Sequence, residues 1–221
     1  MKFVESVLDF KDRVLELLFP PRCIFCSEVV PIGKCVCNNC SLEVVPNTMI
    51  RTILEFGEEN IACISPFKYS GKVRKAIWSF KFRGQKQYAK YFAQVVSDEL
   101  EKTSKNIDVV TAVPLSESGM RKRGYNQSEC LAKLIAKNIG LKYEDLLIKS
   151  KENFPQHELT LNERRENVKG VYKVTNIRSL KNKNILLCDD VVTTGSTLRE
   201  CAKMLKLFGA RSVICCTVAH V

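Results

Sequence analysis

Histidine is almost missing from this 221-residue chain: His157 and His220 are the only two. Neither lies in a motif that would serve a thiol, so a Cys–His nucleophile is not expected among the 11 cysteines. Long apolar runs are missing as well. No uncharged stretch approaches the roughly 18 residues that cross a bilayer. No secretion signal opens the chain, since Glu5, Asp9, Asp12 and Glu16 interrupt "MKFVESVLDFKDRVLELLFPP". That start reads as an amphipathic helix docking on its own protein, because membrane-surface helices carry more Lys and Arg. Neither G-x-x-x-x-G-K-[ST] nor G-x-G-x-x-G occurs, which excludes a P-loop and a dinucleotide fingerprint. Acidic residues are absent from Ser65 to Ser97, where Lys68, Lys72, Arg74, Lys75, Lys81, Arg83, Lys86 and Lys90 all fall.

What is present is a soluble globular composition, 45% hydrophobic and 27% charged, with a formal net charge of +11. The charge favours polyanionic partners, phosphates or nucleic acid. An odd number of cysteines with no export signal points to a reducing, cytoplasmic setting and against a disulfide framework. Five cysteines crowd into "CIFCSEVVPIGKCVCNNC". Cys23-x2-Cys26 and Cys37-x2-Cys40 form two knuckles that suit one structural Zn²⁺ with four thiolates and no open coordination position. Cys35 could take the place of Cys37, but only Cys37 keeps the x2 spacing to Cys40. The remaining six, Cys63, Cys130, Cys188, Cys201, Cys215 and Cys216, mostly sit in apolar runs and read as small core residues.

The expected organisation is an N-terminal helix and zinc module over 1–45, a linker over 46–60, and a larger domain over 61–221. In that domain "IACISPF", "NIDVVTAVP", "ILLCDD" and "RSVICCTVAHV" read as strands. "QKQYAKYFAQVVSDELEK", "NQSECLAKLIAKNIG" and "STLRECAKMLKLFG" read as helices, the last two stopping at Gly140 and Gly209. Strands alternating with helices predict an α/β fold with a mostly parallel sheet flanked by helices. Ligands of such sheets sit beyond the carboxyl ends of the strands. There, "ILLCDD" delivers Asp189 and Asp190, and "VVTTGST" follows with Val191, Val192, Thr193, Thr194, Gly195, Ser196 and Thr197. Two adjacent anions repel unless something donates to them, and a vicinal diol supplies two donors. The N-terminus of the next helix holds a phosphate through its unpaired N–H groups. Together the two features suit a sugar diol and a 5′-phosphate at fixed separation.

"LLCDDVVTTGSTL" resembles the phosphoribosyl diphosphate (PRPP) loop of type I phosphoribosyltransferases. The chain as a whole resembles the ComF family of competence-associated proteins. The likeness runs through "LLFPPRCIFC…CNNC", "YSGKVRKAIWSFKFRG", "VPLSESGMRKRGYNQ" and "PQHELTLNERRENVKGVY" to the aspartate motif. It implies that Asp189 and Asp190 hold the ribose hydroxyls and that Thr193 to Thr197 wrap the 5′-phosphate. The loop at Pro114 and Leu115 would approach the pyrophosphate, with Mg²⁺ bridging. Arg121 and Arg123 would neutralise the leaving group, Arg123 counting with the aspartates as catalytic. Arg164 and Asn167 fall in a polar segment, 150–170, that resembles a closing hood. The activity so implied is phosphoribosyl transfer from PRPP to an unidentified acceptor, with a role in DNA uptake and a competence helicase as partner. The alternative is a protein that senses PRPP or a nucleotide, or binds single-stranded DNA, without turnover. For DNA the candidates are Lys68, Lys72, Arg74, Lys75, Lys81, Arg83 and Lys86, interleaved with Trp78, Phe80, Phe82, Tyr88, Tyr91 and Phe92.

Overall fold

The computed structural model describes residues 20–56, 59–83, 88–103, 106–150 and 171–221. The expected N-terminal helix, Lys86, His157, Arg164 and Asn167 lie outside them. Among the described residues no helix is long and apolar enough to cross a membrane. The chain divides into two compact units, Met1–Val45 and Pro46–Val221.

The first unit is a turn, a loop and one short helix built around cysteines. The Cys23 amide donates to Glu28 O at 2.8 Å, and the Ser27 amide returns to Cys23 O at 2.9 Å. This closes the first knuckle through Ser27, whose φ of 66° is left-handed. Cys37 caps helix α1 (Asn38–Glu43), its sulfur accepting from the Cys40 amide at 3.5 Å. The Sγ atoms of Cys23, Cys26, Cys37 and Cys40 lie within 4.8 Å of one another. Cys37, and not Cys35, is therefore the third member of the cluster. Cys35 contributes only its carbonyl, which accepts from the Ile24 amide at 3.0 Å.

The second unit is a sheet with helices. Its elements run β1 (Met49–Phe56), β2 (Glu59–Ser65), β3 (Phe67–Lys68), α2 (Gly71–Phe82), α3 (Tyr88–Thr103), β4 (Val109–Ala112), α4 (Glu117–Arg123), α5 (Gln127–Asn138), β5 (Lys142–Tyr143), β6 (Leu147–Lys149), β7 (Tyr172–Val174), α6 (Ile177–Leu180), β8 (Asn184–Cys188), β9 (Val191–Val192), α7 (Ser196–Leu207), β10 (Ser212–Cys216) and β11 (Ala219–His220). The main sheet has the order β1-β2-β10-β8-β4-β5. It is parallel from β2 to β5, and only β1 runs antiparallel, against β2. The central strand shows why. Ile185, Leu186, Leu187 and Cys188 are all buried, the unbroken apolar run of a strand covered on both faces.

Two expectations need correction. The stretch 46–60 is not a linker: it forms β1 and the start of β2. A β-bulge between Thr52 and Leu54 interrupts the period-two alternation there, which hides the strand from a pattern search. "RSVICCTVAHV" is not one strand either. It breaks after Cys216, and β11 joins a second parallel sheet, β3-β11-β9.

That break is shared by three neighbours. β2 gives way to β3 at Pro66, β8 to β9 at Asp189–Asp190, and β10 to β11 at Thr217–Val218. Each strand leaves the large sheet and enters the small one beside its former partner. Hydrogen bonds stitch the bend: Thr217 N to Ile64 O at 2.9 Å, Asp189 N to Cys216 O at 3.0 Å, Val218 N to Asp190 O at 3.0 Å. Inside it, Ser65 Oγ and Thr217 Oγ1 meet at 2.7 Å, so two buried hydroxyls satisfy one another. His220 is consequently a buried residue of β11, not a feature of a loose C-terminus.

Candidate functional site

The bend puts Asp189 and Asp190 at the carboxyl edge of β8, where the sequence expected them. A cavity of ≈ 220 Å³ opens there, lined by Tyr69, Lys81, Asp189, Asp190, Val191 to Thr197 and Leu198. Its floor is the turn into α7. Gly195 has a φ of 73°, a left-handed conformation that other residues adopt only with strain. A Cβ there would stand in ordinary contact with Ile53, 3.4 Å from its Cγ2. The Thr194 hydroxyl accepts from the Ser196 amide at 3.3 Å and pairs with Ser196 Oγ at 2.7 Å. The carbonyl of Thr193 accepts from Arg51 at 3.1 Å, which ties the turn to β1. Amides and hydroxyls thus face a helix N-terminus of 12 residues, a setting that attracts an oxyanion.

The two carboxylates are treated differently. Asp189 Oδ1 accepts from Ser128 Oγ at 2.7 Å and from the Asp190 amide at 2.9 Å. Asp190 Oδ1 takes an ion pair from Lys81 Nζ at 2.6 Å. Lys81 was expected among the DNA contacts; the structure brings it into the cavity instead. Four consecutive residues behind the cavity reach three different elements. The Tyr125 hydroxyl donates to Phe80 O. Asn126 donates to Val113 O at 3.0 Å, Gln127 to Lys81 O at 3.2 Å, and Ser128 to Asp189. The segment 125–128 therefore ties α2, the end of β4 and the end of β8 together. Sequence reasoning quoted "RGYNQ" but gave these four no part. Their partners lie 45, 13, 46 and 61 residues away, and no local pattern carries that.

The other expected residues fall elsewhere. Arg121 is exposed and faces Glu117 at 3.6 Å. Arg123 donates to Gln127 Oε1 at 3.2 Å and lies 4.9 Å from the centre of the Phe82 ring. Neither lines the cavity, and neither do Pro114 and Leu115. Lys68, Arg74, Lys75 and Arg83 are exposed, while Lys72 is partly buried. Of the aromatic residues interleaved with those cations, Phe80 and Phe92 are buried and cluster with Tyr125, the Phe80 and Tyr125 centroids 6.0 Å apart. Of these interleaved aromatic residues, Trp78 and Phe82 are the exposed ones, 45% and 47% accessible.

Burial raises the Asp189 carboxyl to about 7, and the neighbouring Asp190 charge adds to the rise. The Ser128 hydroxyl and the Lys81 charge oppose it without cancelling it. A folded value above the unfolded one means the native state holds the extra proton. The associated stability is present in acid and is lost as pH rises from the ordinary carboxyl range through about 7. An Asp189→Asn variant cannot titrate, so its melting temperature should exceed that of the wild type more at about pH 8 than at about pH 5. Each kcal/mol recovered is worth about 2–4 °C in a chain of this size. Calorimetric melts at the two pH values measure it, and an equal offset at both would refute the assignment.

Comparison with known proteins agrees with this geometry. Residues 125–221 match the phosphoribosyl transferase domain family. That span opens on the bridging segment and ends after β11. The DNA utilization protein YhgH of Salmonella typhimurium is 25% identical over 198 residues, covering 86% of each chain. Competence protein ComFC of Streptococcus pneumoniae is 33% identical over 149 residues, covering 66% of this chain and 63% of that one. Among solved structures, adenine phosphoribosyltransferase from Thermoanaerobacter pseudethanolicus is 14% identical, covers 76% of this chain and 82% of its own, and overlaps with a TM-score of 0.40. The mostly parallel sheet with its aspartate loop, the four-cysteine cluster and the competence-named relatives agree: the chain is similar to ComF-family, phosphoribosyltransferase-like proteins.

Proposed function

We propose that the cavity binds a ribose 5-phosphate unit and that the protein transfers a phosphoribosyl group from PRPP to an acceptor during the handling of incoming DNA. The observation that carries this is one cavity holding both a carboxylate pair and a hydroxyl-rich helix N-terminus. The 5′-phosphate lies on the turn from Thr193 to Thr197, and the ribose hydroxyls donate to Asp189 and Asp190. A diol adds donors for two carboxylates in a partly desolvated place, beyond those from Ser128, the Asp190 amide and Lys81. Mg²⁺ suits the same edge, since paired carboxylates and a diphosphate are hard oxygen ligands. It would supply charge neutralisation for the departing diphosphate. Transfer at the anomeric carbon passes through an oxocarbenium-like state, so the protein's contribution is positioning and stabilisation of the leaving charge.

The DNA-uptake role rests on the competence and DNA-utilization names of the relatives. A second reading, binding of single-stranded DNA, is favoured by one surface feature. Trp78 and Phe82 lie side by side on α2 with ring centroids 5.7 Å apart, and Arg83 and Arg123 each stand 4.9 Å from one of the rings. Exposed rings stack on bases while cations follow the backbone.

The cysteine cluster supports a structural zinc. Tetrahedral Zn–S bonds of about 2.3 Å put the sulfurs about 3.8 Å apart, and Cys26 and Cys37 already stand at 3.6 Å. Four thiols this close cannot all ionise unaided. Burial and hydrogen bonds from its cysteine neighbours push Cys40 up to about 12. Burial also works against ionisation at Cys23, but backbone amide donors bring it down to about 7. A divalent cation removes that conflict.

These readings generate four measurements. Asp190→Asn should weaken binding of PRPP about tenfold or more, because a charge-assisted hydrogen bond is lost. Titration calorimetry reads the affinity, and an unchanged value removes the carboxylate role; pyrophosphate release over a panel of bases, amines and oligonucleotides separates transfer from sensing. Purified protein should carry one zinc per chain by metal analysis, and Cys26→Ser should lose it. Metal-free wild-type protein would end the zinc reading. Trp78→Ala should reduce single-stranded DNA affinity about fivefold to a hundredfold, and wild-type affinity should fall steeply with salt. Affinity indifferent to both rules out the surface.

A further inference from the structure

Among the described residues Lys81 is the one cation that lines the cavity, and in the free protein it is spent on Asp190, with Nζ 2.6 Å from Oδ1. Both side chains are largely sheltered, at 19% and 10% exposure. The pair forms across the position where a ribose diol must donate. A diol that reaches Asp190 competes with the ammonium for the same lone pairs, and the lysine then needs another anion.

Its surroundings say which part can move. The backbone at the end of α2 is clamped: Lys81 O accepts from Gln127 Nε2 at 3.2 Å, and Phe80 O accepts from the Tyr125 hydroxyl. Gln127 is buried and is itself fixed by Arg123 at 3.2 Å. What remains free is the four-carbon stem and its compact charge, which rotates without the planar constraints of a guanidinium. Arg121 and Arg123 lie outside the cavity lining, occupied with Glu117, Gln127 and Phe82.

The chemistry of the ligand supplies the second anion. The anomeric carbon is bonded to the carbon that bears the 2-hydroxyl. A diphosphate on the anomeric carbon therefore lies beside the 2-hydroxyl, next to the aspartate pair to which the diol donates. Ribose 5-phosphate has no anion there. Resting on the ribose-binding reading above, we propose that Lys81 is the residue that selects for a 1-diphosphate, exchanging Asp190 for the diphosphate when PRPP enters. With ribose 5-phosphate the ion pair is broken with no replacement, so the pair penalises ligands lacking the diphosphate and rewards the one that carries it. Specificity then comes from both an attractive and a repulsive element in one side chain.

The test compares PRPP with ribose 5-phosphate by calorimetry in magnesium buffer, on the full chain and on Lys81→Met. The wild type should prefer PRPP. In Lys81→Met, PRPP affinity should fall about tenfold or more, and ribose 5-phosphate should bind as well as before or better, so the ratio of the two dissociation constants collapses. Lys81→Gln keeps a donor for Asp190 without the charge; it should show the same collapse and guards against misfolding of the methionine variant. Lys81→Arg should restore part of the preference. Parallel loss of both ligands in Lys81→Gln, or no change in either, overturns this inference and leaves the ribose site standing. Failure of both ligands to bind the wild type overturns the ribose site and this inference with it.

Discussion

Two neighbouring carboxylates at the end of a buried strand are the constraint around which the second unit is arranged. Left in a desolvated place they would draw protons and repel one another, and burial first, then the Asp190 charge, raises the Asp189 carboxyl. Relief comes from three directions: a hydroxyl from α5, an ammonium from α2, and a backbone amide from the motif itself. Each donor must be held to within a few tenths of an ångström, so the elements that carry them are locked together. The segment from Tyr125 to Ser128 does most of that locking with one residue per partner. Stability is given up at the site in exchange for a place where a ligand's donors are worth more than water's.

The backbone solves a related difficulty. Parallel strands aimed at a ligand leave unpaired N–H and C=O groups at their ends. Here three of them bend together and pair again in a smaller sheet, so Asp190 keeps its carbonyl bonded to Val218 while its side chain faces the cavity. The glycine at 195 completes the turn because its left-handed backbone disfavours any side chain. Arg51 from β1 then holds that turn from the far edge, which makes the antiparallel strand part of the site's support.

Local features were legible in the sequence because local physics determines them. Apolar residues at helical spacing marked α5 and α7, the x2 spacing marked the cysteine knuckles, and "CDDVVTTGST" announced the site by chemistry alone. What was not legible depends on distance along the chain. The bulge in β1 erased the alternation that would have revealed it. The common bend shows in no single strand, since Pro66, Asp189 and Thr217 become neighbours only after the sheet forms. Lys81 sat in a basic run and read as one cation among eight; its partner is 109 positions away, a pairing that only the fold creates. Phe80 and Tyr88 to Phe92 could be read from the sequence either as rings of a nucleic-acid surface or as core on amphipathic elements, and the structure buries Phe80 and Phe92.

The shared bend also makes the ligand's foothold a hinge line common to both sheets. Asp190 gives its carbonyl to Val218 and its side chain to the cavity, and β9 just beyond it pairs with β11, which pairs in turn with β3. Any tug on that carboxylate is therefore felt along the short strands out to Lys68 and Tyr69, the latter bonded through its amide to the carbonyl of His220. The edge that carries Asp190 is in this way joined by main-chain hydrogen bonds to the point where the chain enters α2, the helix that bears Trp78 and Phe82.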